Sequence, residues 1–580
     1  MGIGALRRAS PASWLRVRRI LLAVLSRGRA LKGWYGIVLV FFGVFVLLPP
    51  LFVLSFLVTG WGDLQTFVFS SAAILGQIWS AVALSFGVAL TVTAVDLLVG
   101  LPLAWFIVRR EFRGKSLLNT IIDSPLAVPT AGLGFSVALF WGLNPAVSPP
   151  PLAVSVTNAP FLILTFLHFT TTFPYMVRSL AAILEQIEVE YEIAARTCGA
   201  SPLTAARTVT LPLFRSGIAT GSILCLAKAL SDTGGAQAAL QTAQMFRITA
   251  STCSFIGTPN GTVLIAAWRT IGRTSACSGF APQLNAGLAF VSILMIALSI
   301  VLLFAVRLLA ARLRFPLRRV WPGTERKLSR GAAPFTRDAV AFAFLGVIIL
   351  LPSFFLIWFL GTGTTQTTGA DWSLFAGSLT FSFEVAGLAT AIDLVFGIPL
   401  ALYIVRGPRR RVGGLLDSLV NIPYIVPSAA LGFSLFLFWR PVVDAGILPV
   451  VVVIVLAHVA FTFPFVVRNA VGALEEMDPG LDETARTLGA RPLQAFRRVT
   501  FPVIKPAILA GAIMAFTRSV GETGATLAVS PQSTTAPVFI VNLLNPVTGN
   551  FYLAALAVVV LTIVSAVAML GLRFVTGRAR

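Results

Sequence analysis

The chain has 580 residues, 57% hydrophobic and 11% charged, and its mean hydropathy of +0.89 leaves too little polar surface for a soluble globular protein. This composition predicts a polytopic membrane protein in contact with the lipid bilayer. The formal charge of +22 does not point to nucleic acid, because the arginines cluster in short segments between apolar runs, as orientation signals do.

Residues 1–35 are basic, with Arg7, Arg8, Arg16, Arg18, Arg19, Arg27, Arg29 and Lys32. The apolar stretch Ile20 to Leu25 among them is too short and too poorly flanked for a cleaved signal peptide, so the first span is expected near Gly36. A run of about 20 apolar residues crosses the hydrocarbon core. On that measure the first half, 36–306, holds spans at 36–59, 78–108, 124–142, 152–177, 217–240 and 286–306. After a basic linker at 307–337, the second half, 338–580, holds spans at 338–360, 377–405, 419–439, 446–467, 507–529 and 551–572. The expected fold is therefore an all-α membrane protein of about 12 transmembrane helices in two six-span repeats.

Placing the N-terminus inside predicts basic loops after spans two and eight, where Arg109, Arg110, Arg113 and Lys115, and Arg406, Arg409, Arg410 and Arg411 stand. The segments 61–77, 143–151 and 530–550 hold no basic residue and read as external. One outer segment, 241–285, departs from the rule with Arg247, Arg269 and Arg273. Both termini are expected to be cytoplasmic.

The halves are copies. Asp96, Gly100 and Pro102 recur as Asp393, Gly397 and Pro399; Pro125 and Pro129 as Pro423 and Pro427; Gly134 and Trp141 as Gly432 and Trp439. His168, Phe173, Pro174 and Arg178 recur as His458, Phe463, Pro464 and Arg468, and the shift in offset puts eight extra residues in an outer loop of the first half. An even number of spans per unit makes the repeats parallel, which predicts a pseudo-twofold axis along the membrane normal and a pathway between the halves.

Between spans four and five, and again between ten and eleven, the chain reads AARTCGASPLTAARTVTLP from Ala194 and ETARTLGARPLQAFRRVTFP from Glu483. Gly199 and Gly489 are placed to end a short helix in the left-handed conformation. Pro212 and Pro502 then begin the next span. Each segment is predicted to project as a polar helix that a partner could grip.

Here the chain resembles the permeases of binding-protein-dependent ABC importers, whose cytoplasmic motif is E-A-A-x3-G-x9-I-x-L-P. The second copy carries Glu483, Ala485, Gly489 and Pro502; the first carries Ala194, Ala195, Gly199 and Pro212, with Ile193 at the glutamate position and Glu192 beside it. The resemblance implies that these residues form coupling helices for two separate ATPase subunits, which bind the ATP and magnesium. It also implies an extracytoplasmic solute-binding protein and a place in the cell membrane, with no cofactor in this chain. The fused form and Gly521-Glu522-Thr523-Gly524-Ala525-Thr526 look most like the type I branch importing ferric iron, thiamine, molybdate, sulfate and related solutes, and fusion leans toward iron and thiamine. Phosphonate also remains open.

Gly114-Lys115-Ser116 is not a phosphate loop, since Arg109 stands where its first glycine is needed. No catalytic triad or metal cluster is evident. Asp96 and Asp393 lie inside spans two and eight, where a carboxylate faces protein or water and serves either a gate or helix packing. Asp232, Thr233 and Gly234 match Glu522, Thr523 and Gly524 in spans five and eleven, with glycines that permit close backbone approach, and stand as candidate pathway or gate residues. His168 and His458 read as packing residues. Cys253 and Cys277 share an external segment and could bridge. The rival class is a gradient-driven secondary transporter with parallel repeats, which gives no reason for two docking helices; a membrane enzyme lacks convergent catalytic groups.

Overall fold

A computed structural model describes residues 28–142, 159–249, 252–312, 322–329, 332–362, 372–530, 535–545 and 549–577. The basic segment 1–27 and the eight extra loop residues expected near 143–158 lie outside them. Apart from one hairpin, Phe246–Thr249 paired with Ser254–Gly257, the described secondary structure is helical. Eight helices are long and apolar enough to cross a membrane, and three bent pairs raise the number to 11 among the described residues. The eight are spans one, two, four, six, seven, eight, ten and eleven of the sequence reading. A twelfth helix, Phe551–Gly577, stands where the last span was expected.

Spans three and nine depart from expectation. Each is broken: Lys115–Ala127 meets Thr130–Trp141 at 99°, and Arg411–Tyr424 meets Ser428–Asp444 at 103°. The duplicated prolines cause it. A proline's ring drives the preceding residue out of the helical region, and Val128 and Val426 are extended (ψ 130° and 128°) before Pro129 and Pro427. Thr130–Trp141 has 12 residues, a rise of about 18 Å, well short of the membrane core of about 30 Å. Eleven of those residues are buried, so protein and not lipid surrounds the half-span.

Spans five and eleven are also interrupted. Helix stops at Ser231 and Val520 and resumes over Gly234–Thr242 and Gly524–Val529. Carbonyls freed in the first break are satisfied by hydroxyls: Ser428 Oγ donates to the Ser231 carbonyl at 2.7 Å and Thr262 Oγ1 to that of Asp232 at 3.0 Å. The short helices beyond the breaks pack on the half-spans. Gly134 lies against the Gly235 backbone and Gly432 against that of Ala525, with no room for a Cβ.

The opening span of each half packs on the other half. Phe41 of span one stacks on Phe396 of span eight, with ring centroids 3.8 Å apart. Ser434 of span nine inserts its hydroxyl into an opened turn of span one, donating to the Pro49 carbonyl (2.6 Å) and accepting from the Val53 amide (2.8 Å). Ser136 of span three does the same to span seven, between the Pro352 carbonyl (2.5 Å) and the Leu356 amide (3.3 Å). A side chain set into the i to i+4 ladder is a recognised origin of helix bends. This exchange ties the halves together across their outer faces.

Candidate functional site

The two breaks meet at the centre. Gly234 faces the Thr523 side chain and Gly524 faces that of Thr233, so a Cβ on either glycine would collide with the opposing threonine. Thr233 Oγ1 also lies 3.3 Å from Ser428 Oγ of the other half. Four of the six residues read from the sequence as a candidate gate, Thr233, Gly234, Thr523 and Gly524, thus form one crossed contact, with Asp232 and Glu522 next to them in the chain, and Asp232, Thr233, Glu522 and Thr523 are at most 3% exposed. Each acid lies four residues after a base. Arg518 Nη1 is 2.8 Å from Glu522 Oε2, whereas Lys228 Nζ is 3.9 Å from Asp232 Oδ1. Glu522 Oε1 also accepts from the Ala525 amide at 3.2 Å, holding the start of the second short helix.

Asp96 and Asp393 are not at this contact. Each is fully buried and pairs with the neighbouring span: Thr172 Oγ1 lies 2.6 Å from Asp96 Oδ2, and Thr462 Oγ1 2.6 Å from Asp393 Oδ2. The same threonines also lie within hydrogen-bond reach of the His168 and His458 carbonyls. That geometry is the helix-packing alternative of the two considered above.

The histidines differ. His458 Nδ1 is 2.7 Å from Ser519 Oγ and its Nε2 is 3.0 Å from Thr526 Oγ1. At the matching positions the first half has Ala229 and Ala236, and His168 Nδ1 has no hydrogen-bond partner.

The repeated segments form the expected lateral helices, Val189–Thr197 and Gly480–Thr487. Gly199 and Gly489 both have φ +87°. The amide after each glycine closes a six-residue turn, Ala200 to the Ala195 carbonyl at 3.1 Å and Ala490 to that of Ala485 at 3.0 Å. Pro212 and Pro502 occupy the first turn of the helices that follow. Glu192 turns inward, 2.9 Å from Arg109 at the end of span two, and accepts from Thr210 Oγ1 at 2.9 Å. Its counterpart in the second half is Asp482, paired with Arg406 (3.7 Å) and Arg486 (3.0 Å), while Glu483 points to solvent. Tyr191, Ile193, Leu481 and Leu488 leave an apolar outer face, with Leu488 83% exposed.

Comparison with known proteins bears on the whole arrangement. Residues 96–315 and 394–580 each match the family described as binding-protein-dependent transport system inner membrane component. The chain belongs to this family. As a permease of that family it is similar to the molybdate/tungstate transport system permease protein WtpB of Pyrococcus furiosus, 31% identical over 255 residues, covering 42% of this chain and 98% of the relative. It is also similar to the sulfate transport system permease protein CysT of Salmonella typhimurium, 31% identical over 233 residues, covering 37% and 77%. The molybdenum transport system permease protein ModB of Mycobacterium tuberculosis is 32% identical over 205 residues, covering 33% and 77%. Family membership makes the chain a multi-pass transport subunit and implies solute-binding and ATPase partners.

Three features of this permease escaped the sequence reading. Lys228 and Arg518 carry a signal that could have been found, a base four residues before each candidate acid inside an apolar span. Asp482 could have been found by matching Glu192 at the 290-residue offset instead of matching Glu483 to the motif letter. The contacts of Ser428 with the first break had no signal, because they join residues 195 and 197 apart.

Proposed function

We propose that the chain is the fused permease subunit of an ATP-driven importer for tetrahedral oxyanions of the molybdate, tungstate and sulfate class. The observation that carries the substrate reading is the set of relatives, whose names cite molybdate, tungstate, molybdenum or sulfate; ferric iron and thiamine, favoured by the fused form, gain no support from them. The six-span halves 36–306 and 338–580 enclose the path, the breaks at Asp232 to Gly234 and Glu522 to Gly524 gate it, and 307–337 links the halves. The lateral helices face the cytoplasm with both termini, and each docks one ATPase subunit through its apolar outer face and the turn at Gly199 or Gly489. Closure of the ATPase pair moves the two helices, and the crossed central contact opens as the halves rock. A solute-binding protein delivers the anion from outside.

The test is uptake by proteoliposomes holding the permease with its ATPase and binding protein, offered labelled sulfate, molybdate, ferric iron or thiamine. ATP-dependent uptake of an oxyanion is the expected result. Uptake of iron or thiamine alone overturns the substrate class, and uptake driven by an ion gradient without the ATPase overturns the transport class.

A further inference from the structure

The four charged groups at the central breaks are arranged unequally, and the inequality has a chemical use. Arg518 and Glu522 are in direct contact at 2.8 Å, and Glu522 is further tied to the Ala525 amide. On the other half, Lys228 Nζ stands 3.9 Å from Asp232, beyond hydrogen-bond range. Both Lys228 Nζ and Asp232 Oδ2 are buried without a hydrogen-bond partner. The Lys228 and Asp232 side chains are only 7% and 3% exposed. An ammonium with three donors and no acceptor within hydrogen-bond distance is costly at such a place unless a ligand visits it. Asp232 and Glu522 are within electrostatic reach of both bases, and Tyr175 and Tyr424 are within reach of Arg518. Thr233 and Gly234, which make the glycine–threonine contacts between the breaks, follow Lys228 by five and six residues, just past the end of its helix at Ser231.

We propose that Lys228 is a transit site for the oxyanion, binding it as the crossed contact opens and before release on the side of the lateral helices. The proposal rests on the oxyanion reading above and names the residue that receives the anion. The spacing of the Lys228 and Asp232 pair is what makes it usable. A closed pair such as Arg518 and Glu522 would have to be broken before an anion could bind, whereas Lys228 offers its donors without losing a hydrogen bond. Asp232 balances the ammonium's charge and, by repulsion, limits how tightly the anion is held. A transit site must be weak enough to release. The Arg518 and Glu522 pair in the matching position holds the second break rigid while the first yields.

The bland alternative is that Lys228 only neutralises Asp232. The complete complex in proteoliposomes separates the two, with labelled sulfate and molybdate as probes and wild type compared with Lys228→Met, Lys228→Arg and the double variant Lys228→Met, Asp232→Asn. The transit reading expects Lys228→Met to lower uptake by about tenfold or more, the loss of one charge-assisted hydrogen bond. It expects the double variant to stay equally low and Lys228→Arg to keep most of the uptake. Recovery of wild-type uptake in the double variant, or unchanged uptake in Lys228→Met, overturns the proposal while leaving the importer reading intact. Failure of the wild type to take up either oxyanion overturns both. Should Lys228→Met fail to fold, the double variant, which removes both buried charges together, still decides between the readings.

Discussion

The two lateral helices have the same backbone and are held by different chemistry. In the first, Glu192 is 14% exposed, pairs with an Arg109 that is 13% exposed, and takes a hydroxyl from Thr210. The linker helix Pro322–Leu328 adds a strap, not on the lateral helix itself but on the segment just past Gly199: Glu325 pairs with Arg207 at 2.8 Å and accepts from Thr204 Oγ1 at 2.5 Å, and Ser329 Oγ accepts from the Leu203 amide at 3.1 Å. In the second, Asp482 is one methylene shorter, reaches Arg406 only at 3.7 Å and shares its charge with Arg486, and no strap lies over it among the described residues. Duplication thus preserved the turn geometry, which depends on glycine, and let the anchoring drift. The first helix is braced against its own half; the second is freer to move with a partner.

The largest expected effect comes from the turn itself. Gly489→Asp and Gly199→Asp each put a side chain at φ +87°, a backbone cost of about 1–2 kcal/mol, and add a charge to the docking face. Neither site is crowded, since a Cβ at either glycine meets nothing within 4 Å, so the protein still folds while the surface changes. Co-purification of the ATPase should be lost in Gly489→Asp and weakened in Gly199→Asp, where the strap keeps part of the surface in place. Equal loss in both would mean that the strap contributes nothing to docking.

A middle-sized effect separates the anchors. Glu192→Ala leaves Arg109 mostly buried without its counter-charge, holding only the Ile187 carbonyl at 3.0 Å, and costs about 1–3 kcal/mol. Asp482→Ala leaves an arginine that is 25% exposed and still bonded to Thr500, so the loss should stay below about 1 kcal/mol. Thermal unfolding in detergent should rank the first variant below the second. The reverse order would sink the view that the first half is the more firmly anchored.

The smallest effect contrasts the histidines. His458→Ala strands the Ser519 and Thr526 hydroxyls, whereas His168→Ala strands none at the matching positions, so the former should be the more destabilising by about 1 kcal/mol. Equal melting temperatures would show that the hydroxyl network carries no net stability.

Much of this was readable in advance. Five of the expected spans, the first, second, seventh, eighth and twelfth, begin and end within six residues of a helix, and the others overlap a helix or bent pair with larger shifts at one or both ends, because a hydrophobic run of sufficient length has one stable use in a bilayer. The turn glycines were readable because φ +87° leaves few alternatives to glycine. Cys253 and Cys277 are bridged, as their shared external segment allowed. The breaks were not read, although Pro129 and Pro427 announced two of them. Hydropathy averages across a break, and the duplicated Asp232-Thr233-Gly234 and Glu522-Thr523-Gly524 were placed within continuous spans. Glu483 is the motif's glutamate and a coupling candidate on the exposed side of its helix, and the buried acid that anchors that helix, Asp482, carries no motif letter.

The sequence by itself determined the class, the duplication, the lateral helices and the family, since each depends on local composition or on spacing within one element. Tertiary structure decided that the breaks cross, that Ser136 and Ser434 lock each opening span to the opposite half, and that Lys228 stands apart from Asp232 while Arg518 closes on Glu522. Partners such as Ser434 and Pro49, 385 residues apart, meet only when two halves pack, and no local pattern encodes which hydroxyl will find which carbonyl. The two ion pairs have the same i, i+4 spacing, so their difference comes from what packs around them.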